Sequence, residues 1–229
     1  MRRRKRGFGL SVLLIAVLAT AIYLAARMGY LEDLIPKEKK VYEGLSWNLT
    51  LVNDEWAVPE DWEIELTELR DDQRVDSRMY PDLQDMFDAC RADGLYPLVW
   101  SSYREEKDQQ RLMDEKVEGY LAAGLSQHDA EREAKLWVAE VGYSEHQLGL
   151  AVDINSEDES LCSSWDVYAW LAEHCDEYGF ILRYPEDKTD ITGIDYEPWH
   201  FRYVGKDAAK EIMESGLCLE EYIEKYYPQ

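Results

Sequence analysis

Apolar positions recur along the chain with two periods, and the switches between them outline its elements. In YPDLQDMFDACRADG (80–94), Leu83, Met86, Phe87 and Cys90 fall on one helical face, and Gly94 supplies a natural stop. LYPLVWSS then reads as a strand. From Glu105 to Ala139 the spacing is helical again, broken near Gly124, with Ser126 as the expected cap of the second piece. LGLAVDI is short and β-branched at Val152 and Ile154, which predicts a strand. Helical spacing returns in 163–179, through Trp165, Tyr168, Leu171, Ala172 and Cys175, with Ser163 or Ser164 as cap and Gly179 as terminator. FILRY and EPWHFRYVG read as further strands, WNLTLVN (47–53) as a short early one, and two short helices separated by Gly216 close the chain. Strands and helices intermix without regular βαβ units, which predicts an α+β domain with a small, mostly antiparallel sheet flanked by helices.

One apolar run has no period. Phe8 to Ala26 is 19 residues without a charge, a helix of about 28 Å against a hydrocarbon core of roughly 30 Å. With MRRRKRG before it, this predicts a cytoplasmic basic tail (1–6) and a transmembrane anchor (7–26). A cleaved signal peptide competes, because Ala19-Thr20-Ala21 has the small-x-small form that signal peptidase accepts. The apolar run continues past that point to Ala26, which favours an uncleaved, single-pass anchor. Either reading exports the remainder. Residues 27–45, with Pro36, Gly44 and mixed charge, read as a stalk, and 46–229 as the extracytoplasmic domain.

Charge removes one class of partner. The chain carries −23, and the five basic residues of the tail leave the rest with 20 basic and 48 acidic side chains, or −28. Such a body repels phosphates, so nucleic acid is not expected as a ligand. The four cysteines, Cys90, Cys162, Cys175 and Cys218, contain no CxxC pair, which argues against a cysteine zinc site and leaves disulfides and buried thiols both open. Asn48-Leu49-Thr50 fits a glycosylation sequon, a pattern common by chance. Nothing in the sequence bears on oligomeric state.

The chemistry concentrates in SEHQLGLAVDI (144–154). His146 and Asp153 are polar groups in an apolar run, costly to bury unless paired. With Asp153 on a strand and His146 in the loop before it, Gly149 is where the chain swings round. A third ligand has to come from elsewhere, and the chain has four histidines. His128 lies in a polar helical start and His174 on an amphipathic helix, and both read as surface positions. His200 stands in an apolar strand, with Glu197 three residues before it and Pro198 between. Pro198 withholds an amide donor and biases Glu197 towards extended backbone, so strict alternation of faces can break and both side chains can face one cavity. Two imidazoles and a carboxylate leave a tetrahedral Zn²⁺ with an open position for water, the pattern of a catalytic site. The metal lowers that water's pKa to about 7, and a carboxylate outside the ligand set, here Glu197, can take its proton. Arg104 offers a guanidinium for an oxyanion or a substrate carboxylate. Taken alone, Arg104 and Gln109 read as solvated residues at a helix start.

Three segments in order, SSYREEKDQQ, SEHQLGLAVDI and EPWHFRYVG, resemble the motifs S-x-Y-R…Q, S-x-H-x-x-G-x-A-x-D and E-x-W-H-x-R-Y-V-G of the VanY-type D-alanyl-D-alanine carboxypeptidases. The resemblance runs from about Leu51 to Gly205, and its one visible departure is Ser102 where a glycine often precedes the tyrosine. It implies a Hedgehog/D-Ala-D-Ala peptidase-like α+β fold, with His146, Asp153 and His200 on Zn²⁺, Glu197 as general base and Arg104 steadying substrate or intermediate. It places Ser144 and Gln109 in the substrate cleft. It further implies a bacterial cell-membrane enzyme that removes the terminal D-alanine from peptidoglycan stem peptides. Two alternatives stay open: an L,D-carboxypeptidase that trims tetrapeptides to tripeptides, and a zinc-stabilised cell-wall binding module without turnover.

Overall fold

The computed structural model describes residues 39–229 together with Thr20 and Tyr23. Apart from those two positions, the residues 1–26 in which a basic tail and a membrane anchor are expected lie outside the described residues. Among the described residues no helix is long and apolar enough to cross a membrane. The chain divides into Met1–Glu38 and Lys39–Gln229, and the second unit carries the fold. Its first residues are already packed: Lys40 bridges to Trp56, the Tyr42 ring meets Trp56 edge-on at 4.8 Å, and the Tyr42 hydroxyl donates to the Tyr227 carbonyl at 2.7 Å. The packed body therefore begins ahead of residue 46, and the end of the expected 27–45 stalk lies against it.

A two-stranded hairpin, β1 (Leu66–Glu68) and β2 (Arg74–Asp76), comes first and is followed by helix α1 (Tyr80–Ala92). Strand β3 (Pro97–Ser101), helices α2 (Glu106–Ala122) and α3 (Gln127–Lys135), and strand β4 (Ala151–Ser156) come next. The rest is helix α4 (Ser164–His174), strand β5 (Phe180–Leu182), the single turn α5 (Thr189–Thr192), strand β6 (His200–Tyr203), and helices α6 (Lys206–Ser215) and α7 (Leu219–Tyr226). The main sheet has the order β3-β4-β6-β5 with every pair antiparallel, so the α+β class and sheet type expected from the pattern are present.

Alternation along the central strands sorts their side chains. Val152, Ile154 and Phe201 enter a core with Leu83, Met86 and Phe87 of α1 and Val167 and Leu171 of α4. Asp153, His200 and Arg202 take the opposite face. Register does the rest: Asp153 stands opposite Ser101 on one side and His200 on the other. Ser126 caps α3, accepting from the Asp129 amide. Ser163 caps α4 in a reciprocal pair with Asp166.

Three expectations are corrected. WNLTLVN forms no strand; Trp47–Leu49 is a 3-10 turn. The reason is a buried guanidinium, since Arg202 Nη2 donates to the carbonyls of Asn48 (3.1 Å) and Thr50 (2.9 Å), taking acceptors that a strand would offer a neighbour. The Asn48 side chain donates to the Val204 carbonyl, so the sequon's amide is engaged within the fold. The EPWHFRYVG strand is shortened to β6, because the His200 amide bonds back to the Glu197 carbonyl (3.2 Å) and makes 197–200 a turn. The second helical piece stops at Lys135, which frees Trp137, Val138 and Ala139 to line a cleft. All four cysteines are free thiols, three of them buried.

Candidate metal centre

Three local devices bring the polar residues of SEHQLGLAVDI and EPWHFRYVG together. Glu145–Leu148 is a 3-10 turn ended by Gly149 in the left-handed region (φ 71°), where a Cβ would lie 2.3 Å from Ile64 Cδ1 and 3.2 Å from the Asp76 amide. Only glycine takes that turn without strain. It points His146 back towards β4. The β4-β6 register then sets Asp153 beside His200, and the turn at Pro198 brings Glu197 round to the same side.

The resulting distances are short. His146 Nε2 lies 3.4 Å from Asp153 Oδ2, His200 Nδ1 lies 3.2 Å from Asp153 Oδ1, and one ligand atom from each of the three falls within 4.8 Å of the others. Ligands about 2.0–2.1 Å from a tetrahedral zinc stand about 3.3 Å apart, so the three can hold one ion. The donor set agrees in detail. Asp153 Oδ1 is buried without a hydrogen bond although His200 Nδ1 is near, so the ring nitrogen is not aimed at that oxygen. His146 Nδ1 lies 2.8 Å from the Ser102 carbonyl. A carbonyl only accepts, so Nδ1 carries the proton and Nε2 presents a lone pair to the centre.

Electrostatics follow the same plan. Burial raises the Asp153 carboxyl, but His146 and His200 outweigh it and hold the group well below the usual carboxylate range. Burial, with Arg104 nearby, pushes His146 down, which favours the neutral ring a metal needs. In the metal-free protein burial lowers His200, yet its contacts with Asp153, Glu145 and Glu197 prevail and raise it well above an ordinary histidine. Glu197, 3.4 Å from His200 Nδ1, is raised, chiefly by burial. That suits a proton acceptor near neutrality.

All seven residues singled out from the sequence line or adjoin one cleft of about 220 Å³, whose walls include Arg104, Gln109, Ser144, His146, Asp153, Glu197 and His200. Arg104 is not the solvated residue its local sequence suggests. Its side chain is 15% exposed, donates to Gln109 Oε1 (2.7 Å) and Ser101 Oγ (2.9 Å), and stands 3.9 Å from Asp153. Gln109 is fully buried and donates in turn to the Ala139 carbonyl (2.6 Å), so both ends of its amide are engaged within the protein. His128 and His174 stay outside the cleft lining, as their sequence settings predict.

Sequence reasoning missed the layer beneath. Glu145, Arg183 and Arg202 are buried charges joined by hydrogen bonds. The cleft also takes Lys116, whose ammonium lies 4.8 Å from the Trp137 ring centre, and Tyr184, whose ring centre is 4.7 Å from that of His200. A signal existed for the arginines: FILRY and HFRY each carry one charge inside an apolar strand, which demands a buried partner.

Comparison with known proteins agrees with this geometry. The family model for VanY, D-alanyl-D-alanine carboxypeptidase, matches residues 72–206, more than half of the chain. A D-alanyl-D-alanine carboxypeptidase of Enterococcus faecalis is 50% identical over 192 residues, covering 84% of this chain and 71% of that protein. VanYB in complex with D-alanine-D-alanine superposes with a TM-score of 0.77 at 52% identity, over 79% of this chain and 99% of that one. A mutant of the vancomycin-resistance D,D-pentapeptidase VanY from a VanB-type cassette, in complex with Zn(II), gives a TM-score of 0.76 at 52% identity, over 78% and 99% of the two chains. A histidine–aspartate–histidine centre on an antiparallel sheet, the matched motifs and this degree of identity together mean that the chain belongs to the VanY family of D-alanyl-D-alanine carboxypeptidases.

Proposed function

We propose that this protein is a zinc-dependent D,D-carboxypeptidase that removes the C-terminal D-alanine from peptidoglycan stem peptides. The observation that carries the reading is a complete but minimal ligand set, His146, Asp153 and His200, with the unligated carboxyl of Glu197 at its edge. The chain is 52% identical to a structure that holds D-alanine-D-alanine. A structural zinc would more often take a fourth protein ligand, which speaks against a binding module without turnover.

In this reading His146 Nε2, an Asp153 oxygen and His200 Nδ1 would hold the ion. Bound there, zinc supplies Lewis acidity and lowers the pKa of water to about 7. Glu197 accepts the proton of the attacking water and later returns it to the departing amino group. The C–O bond forms, the C–N bond breaks, and the products are the shortened stem and free D-alanine. Arg104, locked by Gln109 and Ser101, presents a fixed positive charge to the substrate carboxylate or to the oxyanion. Ser144, buried at the start of the His146 turn, lines the cleft where the terminal residue would lie. Gln109 acts on substrate through Arg104, because its own amide is already spent on protein partners.

We place the domain outside a bacterial cell membrane, tethered by residues 7–26. The support is the uncharged run from Phe8 to Ala26 behind a basic tail. Protease added to intact cells should digest the domain but spare the tail.

The test of activity is mass spectrometry of defined stem peptides after incubation with the full zinc-loaded chain. A pentapeptide should lose one alanine, and a chelator should stop the loss. Cleavage that survives chelation, or none at all, overturns the reading; cleavage of tetrapeptides alone would make the enzyme an L,D-carboxypeptidase.

A further inference from the structure

Beneath the centre lies a carboxylate that the reaction does not use. Glu145 is the neighbour of His146 in sequence, yet its side chain turns away from the cleft and is 1% exposed. Oε1 accepts from Arg183 Nε at 2.7 Å and from Arg202 Nη1 at 2.8 Å. Both guanidinium groups are themselves fixed. Arg183 is held by both oxygens of Glu220, on α7, at 2.9 and 2.6 Å. Arg202 is held by the carbonyls of Asn48, Thr50 and Tyr203. The second oxygen of Glu145, Oε2, is buried with no hydrogen bond and stands 3.6 Å from His200 Nε2, which is likewise buried and unbonded. Two orphaned polar atoms thus face each other across the back of the His200 ring, while Nδ1 on its front faces Asp153 and Glu197.

We propose that Glu145 is a positioning residue for the metal centre: clamped by Arg183 and Arg202, it holds the proton of His200 on Nε2 and so keeps Nδ1 free to bind the ion. The argument is one of donors and acceptors. An ionised carboxylate can only accept, so the ring nitrogen facing it must carry the hydrogen, and when the ring is neutral, as a metal ligand must be, the opposite nitrogen is the one with the lone pair. At 3.6 Å the two atoms are a few tenths of an ångström beyond hydrogen-bond distance, so the proposed bond requires the zinc-loaded His200 ring to stand that much closer to Glu145. His146 receives the same service from the Ser102 carbonyl. The centre is thus preset by two acceptors from different parts of the chain. A neutral carbonyl suffices for His146, and a charged group, kept in place by two cations, serves His200.

The inference rests on His200 binding through Nδ1, and its test separates it from the activity reading because it measures metal rather than turnover. Glu145→Gln is nearly isosteric. Its amide oxygen can still accept from the arginines, but its NH₂ then faces His200 as a donor and favours the proton on Nδ1, the wrong nitrogen. In the full chain, competition with a chromophoric chelator should show zinc affinity falling about 10–100-fold. A purely structural role would lower the melting temperature and leave the affinity of the folded protein unchanged. Zinc affinity within twofold of wild type in a folded Glu145→Gln protein overturns the proposal.

Should that variant not fold, wild type decides. In the zinc-loaded, ¹⁵N-histidine-labelled chain, the His200 Nε2 proton should be shifted downfield and protected from exchange, as the His146 Nδ1 proton should be. Metal on Nε2 of His200, or an Nε2 proton that exchanges as in free imidazole, overturns it equally.

Discussion

Glu197 and Arg104 show how little of a residue's role lies in its own neighbourhood in sequence. Glu197 precedes a proline and a tryptophan, and its carboxyl reaches the centre only because 197–200 is a turn. Replacing it by Gln should leave zinc affinity within about threefold and lower turnover by about 10²–10⁴-fold, the usual share of a general base; turnover near wild type would remove it from that role. Arg104 was legible as a cation and not as a buried one, since its burial depends on Gln109 and Ser101 arriving from α2 and β3. The thiols make a simpler case. Burial first of all pushes Cys90, Cys175 and Cys218 up to about 12, so at pH 8 they are almost wholly protonated and poorly nucleophilic. Ellman's reagent should react quickly with at most Cys162 in the native protein and with all four thiols after unfolding.

At the scale of elements, pattern and turn chemistry carried most of the information. Helix α1 could be read from its apolar face and the Gly94 that follows it, α3 from its Ser126 cap, and α4 from its apolar face and its Ser163 cap, with Gly179 beyond. Ser163→Ala removes the cap of α4 and should cost about 1 kcal/mol, visible as a lower urea midpoint with an unchanged slope. Gly149→Ala forces a side chain into the left-handed region at the entry to β4, at about 1–2 kcal/mol for backbone alone, and should also weaken zinc binding by displacing His146. An alanine variant as stable as wild type would mean that the turn has another conformation. The β1-β2 hairpin was not visible, because its connection uses Asp71 and Asp72 at φ 59° and 58° in place of the usual glycine. The lost WNLTLVN strand failed for a different reason: a guanidinium from β6, distant in sequence, took its carbonyls.

At the scale of the whole molecule, the centre joins a turn, a central strand and its neighbour, so a bound ion favours only the folded chain. Zinc at 100 times its dissociation constant should add about 2.7 kcal/mol, and chelation should lower the melting temperature; a melting temperature indifferent to zinc would count against the assignment. Acid should act on the metal-free protein through Glu145 and Asp153. Burial opposes their charge, but Arg183 and Arg202 for Glu145, and the two histidines for Asp153, hold both well below their ordinary 4.5 and 3.8. Depressed carboxylates contribute stability that is full above those ordinary values and is lost as pH falls through the folded ones. The chelated protein should therefore melt progressively lower as pH drops from 5 towards 3. The amino-acid sequence alone determined the class of the fold, the order of its main elements and the identity of the chemically able residues, because periodicity, caps and isolated polar groups in apolar runs are local properties. Tertiary structure alone decided which carbonyls Arg202 would claim, that Arg104 would be buried, and that Glu145 would stand behind His200. Those are matters of register and packing, where residues far apart along the chain compete for the same few buried partners.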